Sequence, residues 1–153
     1  MKKLLAVAFS VLVCLTGFCN GFLKAERLNG TILMDGKLDE AAWKSAPEYT
    51  EFYKAGGRIP AQGKTKVKVL FDNNALYIGI YCMDVAIGEI VCKDAPRDGG
   101  IYQSDCVEVM LDPATTKERY YHFMTDARGQ QYDAYRDQGG GVQYPRWNGF
   151  WNS

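Results

Sequence analysis

Alternation of apolar and polar residues predicts the first hairpin of this chain. In residues 65–71 the apolar positions Val67, Val69 and Phe71 alternate with lysines, with the period of two that is typical of a half-buried strand. An Asp-Asn-Asn sequence at 72–74 supplies a turn, and residues 75–82 (ALYIGIYC) continue as an apolar run rich in strand-forming residues. These segments predict an antiparallel hairpin.

The same pattern recurs toward the C-terminus with short polar connections. Residues 105–112 (DCVEVMLD) and 119–126 (RYYHFMTD) predict a second hairpin, and residues 130–137 predict a further strand. Residues 37–47 contain one short helical turn, for which Asp39 is the predicted cap and Trp43 the predicted core anchor. Short strands with almost no helix predict an all-β fold, an antiparallel β-sandwich of jelly-roll or immunoglobulin-like type.

The second hairpin also predicts a pairing register. Its apolar positions are expected to face the core, so that Val109 opposes Tyr121 and Glu108 lies directly across from His122 on the other face. This arrangement would place a carboxylate and an imidazole side by side on one face of a sheet.

Residues 1–21 have the layout of a secretory signal peptide, because Lys2 and Lys3 precede an apolar run that ends in small residues. The run is shorter than the about 20 apolar residues of a membrane span. We expect no membrane span once the signal peptide is removed. The alternatives are that the signal stays uncut as a membrane anchor or that Cys19 carries a lipid. The expected location is outside a bacterial cell or in its envelope, in the periplasm or on the outer surface.

Residues 22–153 are sufficient for one domain with a real core. The sequence stops just after an aromatic-rich segment, VQYPRWNGFWNS, and the predicted strands leave a sheet edge unpaired. We therefore expect the C-terminal strands of this domain to be missing.

The charge of the chain limits the classes of partner, and its cysteines limit the possible disulfides. The formal net charge is zero and no basic tract is present, so neither nucleic acid nor an anionic membrane surface is an expected partner. Beyond the signal, Cys82, Cys92 and Cys106 would give one disulfide and one leftover thiol in an oxidising compartment. A buried free thiol is the alternative for at least one of them, and no spacing typical of a zinc site occurs.

Three residues are candidates for binding a ligand. Glu108 and His122 could hydrogen-bond a polyhydroxylated ligand, because hydroxyl groups both donate and accept and suit charged partners. Tyr102, three residues before Asp105, could stack on the apolar C–H face of a sugar. The alternatives are a simple cross-strand pair for Glu108 and His122 and a loop-packing role for Tyr102.

The chain resembles the carbohydrate-binding modules of family 9 and similar sandwich domains of exported bacterial proteins. The residues that carry the resemblance lie in order between about Gly30 and Asp137: ILMDGKLDE at 32–40 with Trp43, 67–72 with LYI at 76–78, and DCVEV at 105–109 with Asp112. It implies a β-sandwich that binds polysaccharide or oligosaccharide between two aromatic rings and has no chemistry of its own.

The resemblance also implies residue roles. The family's first ring, a Trp three residues before the Asp of D-x-V-E, corresponds to Tyr102; the Glu of that motif is Glu108, and a family Arg falls on or beside His122. The second ring comes from a later part of the family domain, so we do not assign it to Trp147 or Trp151.

Calcium is a candidate cofactor by the same resemblance, and no cofactor is required for binding. The aspartates that follow the predicted strands show no EF-hand spacing, so we expect them to be solvated turn residues: Asp94, Asp98, Asp126, Asp133 and Asp137.

The predicted function is non-catalytic carbohydrate binding that targets a parent polysaccharide-degrading protein to sugar. No catalytic residue is assigned, because glycoside hydrolysis needs two carboxylates and only Glu108 is evident, but a fused glycoside hydrolase is an expected partner. Two alternatives remain open. One is a structural or interaction module of a cell-surface protein. The other is a haem-binding electron-transfer sandwich; His122 and Met124 lie on one strand and cannot hold opposite sides of one iron, so a further ligand such as Met83 or Met110 would be needed.

Overall fold

A computed structural model describes residues 22–144 and 146–153, so the predicted signal peptide lies outside the described residues. In this part of the chain seven strands form two sheets, with one α-helix of five residues, and the predicted all-β class is confirmed. The strands are β1 (Glu26–Arg27), β2 (Thr65–Phe71), β3 (Leu76–Cys82), β4 (Cys106–Leu111), β5 (Tyr120–Asp126), β6 (Gln131–Asp137) and β7 (Val142–Tyr144).

The first sheet has the order β1-β2-β3 and contains the predicted hairpin. Its turn is closed by Asp72, whose Oδ1 accepts hydrogen bonds from the backbone N–H groups of Asn74 at 2.7 Å and Ala75 at 2.8 Å. These two bonds hold the pKa of Asp72 below its ordinary value. The short β1 runs parallel to β2, the one exception to antiparallel pairing among the described strands.

The helix α1 (Ala41–Ser45) is held by packing, not by a side-chain cap. Trp43 is 3% exposed and contributes to the core of the first sheet, which confirms its predicted role. Gly79 of β3 allows this packing, because a Cβ there would lie 3.1 Å from the Trp43 ring. The predicted cap at Asp39 is wrong: Glu40 occupies the cap position, and its Oε1 accepts the Leu33 N–H at 2.8 Å. A single helical turn depends on tertiary burial more than on its cap.

The second sheet has the order β4-β5-β6-β7 and is antiparallel throughout. The predicted register of its first hairpin is wrong by two residues, since Val109 opposes Phe123 and Glu108 opposes Met124. A shift of two leaves every side chain on its predicted face, so alternation could not detect it. The connecting turn sets the register: the Asp112 carboxylate accepts the N–H groups of Ala114 at 3.1 Å and Lys117 at 2.6 Å.

One face of the second sheet, called here the covered face, is closed by residues 147–151. The Trp147 ring lies 4.9 Å from that of Tyr121 and 5.8 Å from that of Phe123, and the Trp151 ring lies 5.4 Å from Phe123 between centroids. Both indoles are therefore occupied by packing within the domain.

Asp133 of β6 fastens that segment to the covered face. Its carboxylate accepts the Gly149 N–H at 3.0 Å and the Trp151 Nε1–H at 2.8 Å, and it forms an ion pair with Arg97. Asp133 is 0% exposed, so its expected role as a solvated turn residue is wrong. The error arises because residues 147–151, distant in sequence, create its burial.

The opposite face, called here the cleft face, carries Glu108, His122, Met124, Tyr132 and Arg136. Met124 and Tyr132 pack beneath Ile101 in a buried cluster. Ile101 begins a 3₁₀ turn, Ile101–Gln103, which therefore lies on this face.

The cysteines Cys82, Cys92 and Cys106 are free thiols, so the expected disulfide is absent from this structure. Cys106 fits the alternative of a partly buried free thiol. Burial raises its pKa, and the negative charges of Glu108 and Asp126 raise it further, which keeps the thiol protonated.

Candidate functional site

A cleft of about 570 Å³ opens on the cleft face. Its floor comes from all four strands of the second sheet, and one wall comes from the loop that carries Tyr102. The residues that line the cleft include Tyr102, Glu108, His122, Tyr132, Arg136 and Gln143. Its size falls in the range of sites for small molecules and sugar units.

Tyr102 stands at the rim of the cleft on an anchored turn. Its neighbour Ile101 is fully buried, and backbone bonds of 3.0 Å from Gln103 to Gly100 and 2.9 Å from Ser104 to Ile101 close the turn. Tyr102 itself is 67% exposed. An exposed ring on an anchored turn is suited to stacking against an apolar ligand face, because the turn need not be ordered on binding.

Glu108 and His122 are in contact, as predicted, although they are not directly opposed. The Glu108 Oε2 lies 2.9 Å from the His122 Nε2, a diagonal contact between neighbouring strands. The His122 side chain is 7% exposed and that of Glu108 42%. The imidazole therefore fixes one carboxylate oxygen from below, and the other is available to a ligand.

The second ring nitrogen of His122 is not satisfied within the described residues. Nδ1 is buried and has no hydrogen-bond partner there. With Nε2 engaged by Glu108 and Nδ1 enclosed, neither nitrogen is open to a haem iron, and Met124 is buried beneath Ile101. The geometry gives no support to the haem alternative.

Three polar residues of the cleft were missed by sequence reasoning. The Tyr132 hydroxyl accepts hydrogen bonds from the Gln143 Nε2 at 2.6 Å and the Arg136 Nη2 at 3.1 Å, which joins β6 to β7 across the cleft floor. The available signal was the spacing of Tyr132 and Arg136, which places both side chains on one face of a strand.

Two of the loop carboxylates accept hydrogen bonds from N–H donors. Asp98 accepts the Asp133 N–H at 2.9 Å, and Asp126 accepts the N–H groups of Arg128 at 2.9 Å and Gln130 at 3.0 Å. Within residues 22–144 and 146–153 there is no group of three or more His, Cys, Asp or Glu placed to hold a metal.

The expectation that Asp126 is a solvated turn residue is also wrong, because this residue is buried. Burial alone raises its pKa, but the hydrogen bonds from Gln130 and Arg128 outweigh that effect, and the pKa lies below its ordinary value. The carboxylate therefore closes the turn after β5 in its charged form.

In the described residues, no helix combines the length and apolar character that crossing a membrane would require.

The fold and the cleft together define a class: an all-β ligand-binding domain with an exposed aromatic ring beside polar side chains on a sheet face. The family model described as carbohydrate family 9 binding domain-like matches residues 34–139, and the chain belongs to this family. The resemblance inferred from the sequence is confirmed.

A curated relative extends the comparison. Endo-1,4-beta-xylanase A of Thermotoga maritima is 29% identical over 101 residues, a match that covers 66% of this chain. The same match covers 9% of the xylanase. No solved structure matches the chain significantly.

Proposed function

We propose that the cleft binds a sugar over Tyr102, with Glu108 as its polar contact and His122 holding Glu108 in place, and that this domain performs no chemistry itself. The observation that carries the proposal is the cleft of about 570 Å³ in which the exposed Tyr102 ring lies beside the Glu108–His122 pair. Family membership supports carbohydrate as the ligand class.

Each residue has a distinct task in this proposal. The Tyr102 ring stacks on the C–H face of a sugar, which removes apolar area from water while its hydroxyl stays solvated. The unpaired oxygen of Glu108 accepts a hydrogen bond from a sugar hydroxyl, a charge-assisted bond stronger than a neutral one. His122 positions Glu108, so less side-chain freedom is lost on binding.

The biological context is also proposed. The xylanase relative favours a parent protein of the glycoside hydrolase type, which this domain would hold against its polysaccharide substrate. The signal-like residues 1–21 favour export to the cell envelope or the medium of a bacterium. Binding without catalysis is favoured by the family description, which is that of a binding domain.

The test is a glycan array with the full chain, followed by calorimetric titration of the glycans that bind. Tyr102→Ala and Glu108→Gln should each weaken binding, while Tyr81→Ala and Glu89→Gln should not. These controls are exposed residues of the same types outside the cleft. Binding unchanged in both cleft variants, or hydrolysis of a bound glycan that Glu108→Gln abolishes, would contradict the proposal.

A further inference from the structure

Arg136 is the one arginine or lysine of the cleft, and no carboxylate of the described residues forms an ion pair with it. Three other arginines near this sheet pair with aspartates: Arg97 with Asp133, Arg119 with Asp137 at 4.0 Å, and Arg128 with Asp94 at 2.8 Å. Arg136 instead donates to the neutral hydroxyl of Tyr132. Its charge is thus left for a group from outside the chain.

The lack of a partner for Arg136 costs free energy, because part of its guanidinium is buried. The Nε of Arg136 is buried and has no hydrogen-bond partner in the described residues, so a donor of a charged group has lost water without compensation. The Tyr132 hydroxyl also accepts a hydrogen bond from the Gln143 amide, and these bonds restrain the guanidinium at the cleft floor. A restrained, planar guanidinium is suited to a carboxylate, which it binds with two parallel bonds.

The acidic groups of the cleft lie away from Arg136. Glu108 shares a row across the sheet with Met124 and Tyr132, whereas Arg136 shares a row with Tyr120 and Gln143. Two strand spacings and four residues along a strand separate the Glu108 and Arg136 backbones by about 16 Å. Asp98 is bonded beside Tyr132, at the Glu108 end. The cleft therefore has an acidic end and a basic end.

We infer that the cleft selects an acidic oligosaccharide, in which one sugar unit lies over Tyr102 and Glu108 and a uronic acid places its carboxylate on Arg136. This inference rests on the proposed function, since it extends the ligand from the sugar contacts already assigned. The carboxylate would neutralise the guanidinium, which a sugar hydroxyl cannot do.

The test compares an oligogalacturonide with its methyl ester, which keeps the sugar units and removes the charge. The acid should bind roughly tenfold to a hundredfold more tightly. Arg136→Gln should abolish this preference, so that acid and ester bind with equal affinity. Arg136→Lys should retain part of the preference, because the charge remains but the planar fork is lost. Arg119→Gln is the matched control, a paired arginine outside the cleft.

Added salt gives a second readout, because it should weaken binding of the acid and spare the ester. A thermal melt of each variant shows whether the fold is retained, and Arg136→Lys keeps the test decisive if Arg136→Gln unfolds. Equal affinity of acid and ester, with both lost in Tyr102→Ala, would overturn the role of Arg136 and retain the proposed function. Binding of the acid that depends on Arg136 but not on Tyr102 would retain the role of Arg136 and overturn the proposed sugar site at Tyr102. If neither the acid nor the ester binds, both proposals are overturned.

Discussion

The two faces of the second sheet differ in how completely their buried polar groups are hydrogen-bonded. On the covered face the buried Asp133 carboxylate is fully engaged by Arg97, Gly149 and Trp151. On the cleft face His122 and Arg136 each retain a buried nitrogen with no partner in the described chain. A fully bonded buried charge stabilises the fold, whereas the incompletely bonded guanidinium of Arg136 beside the cleft marks a place where a ligand can supply a partner.

The covered face should lose the most stability when its central charge is removed. Asp133→Ala should lower the free energy of unfolding by about 3–5 kcal/mol, because Arg97 and two N–H donors lose their acceptor. Denaturant unfolding followed by tryptophan fluorescence measures this. Asp137→Asn, which removes a longer and more exposed pair with Arg119, should change it by less than about 1 kcal/mol. Equal effects of the two variants would show that the buried ion pair of Asp133 stabilises the fold no more than an exposed pair does.

The cleft face should respond in affinity and not in stability. Tyr102→Ala should weaken sugar binding by about 1–2 kcal/mol, through the lost stacking area, and leave the melting temperature unchanged since the ring is exposed in the free protein. Calorimetric titration with the glycan found on the array, together with a thermal melt, measures both quantities. A large drop in melting temperature would instead assign Tyr102 to loop packing.

Asp126 should give an acid-dependent change in stability. Its pKa is lowered in the folded protein from an ordinary value near 3.8, so its stabilising effect is present above that pH and is lost as the pH falls toward the folded value. Thermal midpoints between about pH 2 and pH 6 should therefore fall less steeply in Asp126→Asn than in the parent chain. Asp39→Asn, at an exposed position, should leave the profile unchanged.

The smallest expected effect is the coupling between Glu108 and His122. A double-mutant cycle with Glu108→Gln and His122→Gln should give a coupling of about 0.3–1 kcal/mol in unfolding free energy, because Glu108 is partly solvated. The same cycle measured on sugar binding should give a larger coupling, since His122 positions the carboxylate. Equal couplings in stability and binding would reduce the pair to a structural contact.

Local patterning predicted the strands and their faces well, because alternation depends on the residues of each strand alone. Partnership between distant residues was harder to predict. Alternation could not fix the register of Glu108 because a shift by two preserves both faces. Arg136 and Gln143 share a site only through the pairing of β6 with β7, and Asp133 is buried only by residues 147–151.

The packing of residues 147–151 has a practical consequence for anyone who expresses this domain. The family match ends at residue 139, and a chain trimmed there would lose β7, with Gln143, and both indoles of the covered face. Phe123 and Tyr121 would then be uncovered, and Asp133 would keep its charge without two of its donors. Recombinant boundaries should therefore extend past Trp151, since insoluble or non-binding material from a shorter version would report on the cut and not on the sugar specificity of the protein.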